Sequence, residues 1–406
     1  MTQEVNADIK NYLERYSSIQ KTILNYLDEE ESNEKDFKAF FDNFKIQNSN
    51  FNIKEIFNML RFIINDHHRN EDFFIKLEKI IIYFKDDFMK NFSNKELFDF
   101  FIQNNGVILI LLENQMIKLD NDIVKVLKRP SNMNFFLPEI EAFYYDNELK
   151  FNGENQTRLD KYKKIRKLGV NNDDIAEMIR NDSIEQFIIH VNKTNLQLNS
   201  KIMDSPFETN LYLKQNKPTL IEYATFYGSV QIFNYLKLNG VSLTTSLMNF
   251  AIHSNKAEMI HLLEENDIPQ INSNYEPYIY ESLKCYHNEI ANYFIEYKNI
   301  NKLFIYYCLQ IYNYEFIPID QDSYSKYELP IYDIYNSIQN HQELFHLLYK
   351  ESYLDINKVF TINASQTKSI LSYAIECSNI NMIKFLLSQP NIDVNLKTIY
   401  ISINAF

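Results

Sequence analysis

Residues 218–241, PTLIEYATFYGSVQIFNYLKLNGV, constrain this chain more than any other stretch, because they spell two short helices and the spelling recurs. Thr219 stands where a hydroxyl can accept from an orphan backbone N–H and so open a helix. Ile221 and Ala224 lie three apart and share a face, and alanine there lets a neighbouring element approach the backbone closely. Gly228 reads as the stop, where a left-handed residue is least strained without a Cβ. Ser229 is expected to cap the second helix, Ile232, Phe233 and Leu236 form its apolar stripe, and Gly240 ends it.

The pattern returns at Ser246, Met248, Ala251, Asn255, Met259, Ile260 and Leu263, 27 residues on, and again at Ser369, Leu371, Ala374, Ser378, Met382, Ile383 and Leu386. Poorer copies centre on Glu289, Glu315 and Glu343. The acidic or amide residue that opens each second helix falls at 231, 258, 289, 315, 343 and 381, in steps of 27, 31, 26, 28 and 38. One such unit cannot bury its own apolar face, so units stack, and a stacked helical array is a scaffold for another macromolecule. Two expectations follow: Ala224, Ala251 and Ala374 are buried at equivalent positions, and Gly228 has a positive φ.

The run Thr219, Ile221, Ala224, Gly228, Gln231-Ile232-Phe233, Leu236 and Gly240 resembles the ankyrin repeat, with Thr219-Leu220-Ile221-Glu222 where that family carries Thr-Pro-Leu-His. Most steps are shorter than the family's period of about 33, so the fingers between repeats are expected to be short. Residues 65–87, 181–196 and 220–240 are together similar to an expanded ankyrin family of parasitic protists of the trichomonad type, which carries a domain of unknown function over its first repeats. The resemblance implies an ankyrin scaffold and no activity. In such arrays partners sit on the concave face, made of the fingers and the outward side of the first helices. By the register, the residues just before each stop lie there: Phe226 and Tyr227, His253 and Ser254, Lys284 and Cys285, Glu376 and Cys377. Phe226, Tyr227, His253, Ser254, Lys284 and Glu376 are therefore the expected partner-binding set. Phe226 and Tyr227 lead it, since aromatic anchors are favoured at binding hot spots; the plainer reading packs both against a neighbouring repeat.

Ahead of the repeats the chain reads as all-α but irregular. Ile9, Tyr12, Leu13, Tyr16, Ile19, Ile23, Leu24 and Leu27 keep a helical period, and further helical stretches cover 36–44, 53–64, 71–90, 94–103 and 105–117. Ser93 with Glu96 forms a capping box. The expected organisation is an irregular helical domain over 1–145, a polar linker over 146–170, a worn capping repeat and bridge over 171–217, and the array over 218–406.

Forty-one basic against 54 acidic residues give a net charge of −13, which disfavours nucleic acid and anionic membrane surfaces and mildly favours a basic partner. Cys285, Cys308 and Cys377 form no CxxC pair, so neither a disulfide framework nor a zinc motif is expected. The start, MTQEVNADIK, lacks an apolar signal core, and the apolar run 107–112 is far too short to span a bilayer, so a cytoplasmic or nuclear protein is expected.

Chemistry is hard to find. His67 and His68, with Asp66 and Asp72 nearby, come closest to a metal site, but adjacent helical residues point about 100° apart, so the expectation is an exposed helix end without metal. His253 and His261 fall on different helices of one unit, and Cys285 and His287 are close in sequence without a pocket in view. The scattered glycines make no phosphate loop. No catalytic residue, metal or cofactor is expected, and the leading function is non-catalytic protein–protein binding. Two alternatives stand beside it. One is self-association through the C-terminal end, where residues 396–406 are too few for another helix pair; the other is an enzyme within the N-terminal helical domain.

Overall fold

The computed structural model describes residues 5–29, 32–47, 52–144, 153–268, 274–297, 305–317, 341, 343–344, 347, 355–357, 359–363, 366–376 and 379–396. The described chain is mostly helical, in keeping with the all-α expectation. Its one described sheet is the antiparallel hairpin Val359–Asn363 against Gln366–Ser369. That hairpin falls in the longest step of the repeat pattern, between 343 and 381. Residues 377–378, with the expected last stop, and the tail 397–406, at the expected open end, lie outside the described residues.

Contacts divide the chain into two compact units, each discontinuous in sequence: Met1–Lys21 with Asn50–Met59 and Asn301–Phe406, and Thr22–Ser49 with Leu60–Ile300. This is not the sequential division expected around 146–170. That stretch is helical over Gly153–Leu168 instead. Its polar composition hides an inward-facing Arg166, which donates to both carboxylate oxygens of Glu139 at 2.7 and 2.6 Å and to Phe135 O at 3.2 Å.

The larger unit holds four consecutive helix pairs: Asp174–Arg180 with Ile184–Thr194, Leu220–Tyr227 with Val230–Leu238, Leu247–Ser254 with Ala257–Glu264, and Glu276–Lys284 with Asn288–Tyr297. The first helix of each pair packs on the first helix of the next. Each pair turns on one left-handed residue: Asp182 (φ +46°), Gly228 (+64°), Asn255 (+53°) and Tyr286 (+60°). Gly228 thus behaves as its sequence position requires, and a tyrosine bears the same backbone geometry at the strained end of the series. Four residues before the last three stops stand Ala224, Ala251 and Ser282, all fully buried. A larger side chain there would push adjacent first helices apart.

Caps hold the pairs in register. Thr219 and Glu222 form a reciprocal box, with Thr219 N donating to Glu222 Oε2 at 2.8 Å and Glu222 N to Thr219 Oγ at 3.4 Å. The glutamate that departs from the ankyrin pattern therefore has a local use. Ser229 does not cap the second helix as expected; its hydroxyl donates to Ile179 O of the preceding pair. Asp182 takes over the capping instead, accepting from Gln231 N at 3.0 Å and Ile232 N at 2.9 Å.

The rest of this unit contains Glu34–Gln47 and the helices from Phe73–Tyr83 to Leu137–Tyr144; the period Phe74, Leu77, Ile80, Ile81 and Phe84 predicts a core face, and all but half-buried Phe74 are buried. The Ser93–Glu96 capping box is present. Gly106 and Gly169 admit the Phe74 ring, since a Cβ on either would lie 2.5 or 2.3 Å from it. The smaller unit buries Ile9, Tyr12, Leu13 and Tyr16 from the helix Val5–Asp28. It repeats the local grammar of the pairs, with Cys308 buried four residues before left-handed Tyr312 (φ +59°) and Ala374 buried in Ile370–Glu376.

Candidate functional site

The turn Cys285–Tyr286–His287 lies between two groups of polar side chains in the larger unit. It exists because Glu276–Lys284 ends there and left-handed Tyr286 redirects the chain, which places Cys285 on one side and His287 on the other. All three of its residues are buried.

On the His287 side, three imidazoles and one carboxylate meet. The helix Ile53–Asp66 ends just before His67 and His68, so the two side chains are not fixed at helical angles to each other. The expectation of an exposed helix end is thereby corrected: His67 is buried, and His68 retains 24% of its side-chain exposure. His67 Nδ1 donates to Cys285 O at 2.7 Å, and its Nε2 lies 2.9 and 3.1 Å from the two carboxylate oxygens of Asp28. His287 Nδ1 donates to Ile252 O at 2.8 Å, and its Nε2 lies 3.0 Å from His68 Nδ1. His68 Nε2 in turn stands 3.5 Å from Asp28 Oδ1. Asp28 is held at the end of its helix, where Leu27 O accepts from Asn70 Nδ2 at 2.8 Å and Glu29 O accepts from Lys76 Nζ at 2.7 Å.

The electrostatics follow burial. Desolvation pushes His68 down to about 3 and His287 well below its usual range, with neighbouring imidazoles adding to the effect. Burial would lift the Asp28 carboxyl, but its bond to His67 and the charges of His67, His68 and Lys76 outweigh that and lower it.

On the Cys285 side, His253, Glu281, Lys284 and Asp66 form a closed network. His253 Nε2 lies 2.7 Å from Glu281 Oε1, and Lys284 Nζ donates to Asp66 Oδ1 at 3.0 Å and reaches Glu281 Oε1 at 3.5 Å. Burial alone would lower Lys284, but Asp66 and Glu281 raise it. The Cys285 sulfur is 3.4 Å from His253 Nδ1 and 3.7 Å from Nε2. Burial raises this thiol well above its ordinary value, so it is poorly suited to nucleophilic work.

The expected partner-binding residues separate on inspection. Phe226 and His253 are buried, with ring centroids 5.5 Å apart, and Tyr212 stacks on His253 at 3.9 Å. Their side chains build the junction between helix pairs, which corrects the reading of these two as contacts for a partner. Tyr227 is half-buried beside Tyr223 and Arg180. Ser254 and Lys284 are partly exposed, and Glu376 is exposed and paired with Lys368. His261 is exposed, away from His253.

A second buried polar group occupies the smaller unit. Tyr12 and Tyr314 both donate to Glu55 Oε2, at 2.5 and 3.0 Å, and His341 Nδ1 lies 2.9 Å from the Tyr314 hydroxyl oxygen while its Nε2 donates to Leu309 O at 2.7 Å. Desolvation raises both phenols. Each polar atom of this group already has a protein partner.

Sequence reasoning missed the histidine cluster because its members are 39 and more than 200 residues apart. The other network was legible in principle, since His253 and Lys284 both stand two residues before a stop in successive pairs. The chain matches no protein-family model, no curated protein and no solved structure.

Proposed function

We propose that the chain is a non-catalytic binding scaffold, an array of short ankyrin-type helix pairs that holds a protein partner. The observation that carries this reading is the recurrence of one left-handed stop, at Asp182, Gly228, Asn255 and Tyr286, with a small buried residue four positions before the last three. Such units cover one another's apolar faces and leave a long outer surface free for recognition. The acidic balance, 54 against 41, favours a partner with basic groups. With Phe226 and His253 buried, contact falls to the more exposed positions around the stops: Tyr227, Ser254, Asn255, Lys256 and Lys284.

The test is crosslinking with mass spectrometry on a partner captured by the full chain, repeated with Ser254→Arg. Crosslinks grouped around the stops, and capture that weakens in the variant at unchanged melting temperature, support the reading. Capture unaffected by the variant, with crosslinks elsewhere, overturns it.

Self-association is a second reading favoured by one observation. Ile375, Ile380 and Leu387 of the last described helix pair are 56%, 62% and 53% exposed. Light scattering over a dilution series separates the two, because only self-association depends on the concentration of this chain alone.

A further inference from the structure

We propose that His67, His68 and His287, beside the Asp28 carboxylate, form a site for a divalent transition metal of the zinc class. One ring nitrogen from each histidine can be chosen so that all three lie within 4.8 Å of one another. Ligand atoms around a tetrahedral zinc with bonds of about 2.0–2.1 Å stand roughly 3.3 Å apart. An imidazole gives one ion only one of its nitrogens, so His68 serves either through Nδ1, 3.0 Å from His287 Nε2, or through Nε2, 3.5 Å from Asp28 Oδ1, and either separation is near that value.

Ring orientation supplies an independent argument. A backbone carbonyl can only accept, so the bonds to Cys285 O and Ile252 O put the hydrogens of His67 and His287 on Nδ1. In their neutral forms both rings then aim a bare Nε2 inward. Metal-binding histidines are held in this way, with the second nitrogen donating to a carbonyl or carboxylate that fixes ring and tautomer.

The repeat pattern adds a third argument. His287 occupies the position of Ser229, the residue after the stop, and both donate to the carbonyl three residues before the preceding stop, Ile252 O and Ile179 O. A hydroxyl suffices for that structural bond. Histidine brings a further donor atom that the bond does not use, and it faces another imidazole. In the smaller unit, His341 makes the same kind of bond to Leu309 O, three residues before left-handed Tyr312, and its other nitrogen meets a tyrosine hydroxyl instead. Three imidazoles suit zinc, and they suit cobalt as its spectroscopic substitute. The residual exposure of His68 and Asp28, 24% and 34%, leaves an entry edge.

The experiment uses the tag-free full chain, stripped with a chelator and dialysed against Zn2+ or Co2+. We expect one metal per chain by elemental analysis, visible absorption bands from bound Co2+, and a higher melting temperature with Zn2+. His287→Ser keeps a donor for Ile252 O, as Ser229 does for Ile179 O, and removes a ligand; it should bind Zn2+ more than about tenfold more weakly. His68→Ala, at a partly exposed position, repeats the test should the first variant fold poorly. Wild-type protein that retains no more Zn2+ than these variants, or that melts at the same temperature with and without it, overturns the proposal.

Discussion

Asp182 caps a helix that begins 48 residues after it: Oδ1 accepts from Ile232 N at 2.9 Å and Oδ2 from Gln231 N at 3.0 Å, at the start of Val230–Leu238. These are the N–H groups that a side chain at the helix's own N-cap would serve. Asp182 also holds φ +46°, which Asn tolerates better than Ala. Asp182→Ala should therefore lower stability by about 1–2 kcal/mol, and Asp182→Asn by less, as measured by denaturant unfolding. Equal losses for the two would show that the carboxylate contributes no cap.

Gly228 supports a different substitution pair. A Cβ there would lie 2.3 Å from Lys256 Cδ, whose Nζ donates to Tyr227 O at 3.0 Å and Gly228 O at 3.3 Å. Gly228→Val should lower stability by about 1 kcal/mol or more, since a β-branched residue resists the left-handed region. Gly228→Asn should be milder, because Asn255 occupies the equivalent position at φ +53°. Thermal melts of both variants rank them.

Ala251 packs with no exposed surface between successive first helices. Ala251→Leu should overpack the junction and lower stability by about 1–3 kcal/mol. Ala251→Ser, the residue that the next pair carries as Ser282, should be far less harmful. A leucine variant that melts like its parent would show that the helix pairs are not packed at this position.

Phe226 gives the opposite kind of change. Buried against His253 and Tyr212, it should lower stability by about 3–5 kcal/mol when cut to alanine. A Phe226→Ala melt that matches wild type, combined with lost partner capture, would return this ring to the binding surface.

Glu208 carries a pH prediction. It is buried, and it accepts from Asn171 N at 3.1 Å and Asn210 N at 2.8 Å. Desolvation outweighs these bonds and raises its carboxyl above the ordinary 4.5. The folded state then binds more protons than the unfolded one above pH 4.5, so this contribution is fully present below that pH and is lost as pH rises through the folded value. Glu208→Gln removes the slope, which reaches at most about 1.4 kcal/mol per pH unit, and adds a pH-independent loss of one acceptor. The stability of the glutamine variant relative to wild type should therefore rise with pH from about 4.5. A flat difference would sink the assignment.

Local grammar was legible in the sequence, and long-range polar chemistry was not. Thr219, Ala224, Gly228 and Ala251 each did what helix capping, close packing and turn geometry require of their residue types. Ser229 misled because a serine at that position serves equally as a cap or as a donor to another segment, and only the placement of Asp182 decides. The 153–168 stretch misled because composition registers the charge of Arg166 but not the Glu139 carboxylate that allows it to be buried. The histidine cluster depends on Asp28, His67 and His287 converging across more than 200 residues, and no local period carries that information.

The bonds from Ser229 to Ile179 O and from His287 to Ile252 O act as a counting device. Each ties the residue after one turn to a fixed offset before the previous one, whatever lies between. The left-handed turns of the larger unit stand 46, 27 and 31 residues apart, yet the tie at Ser229 and the tie at His287 keep the same offset. The added length of the longest step lies between the pairs, where it includes the short helix Leu211–Asn216. Residues can be gained or lost there during evolution without shifting the frame in which neighbouring helices read one another, whereas a single residue inserted between Ile252 and Asn255 would break it.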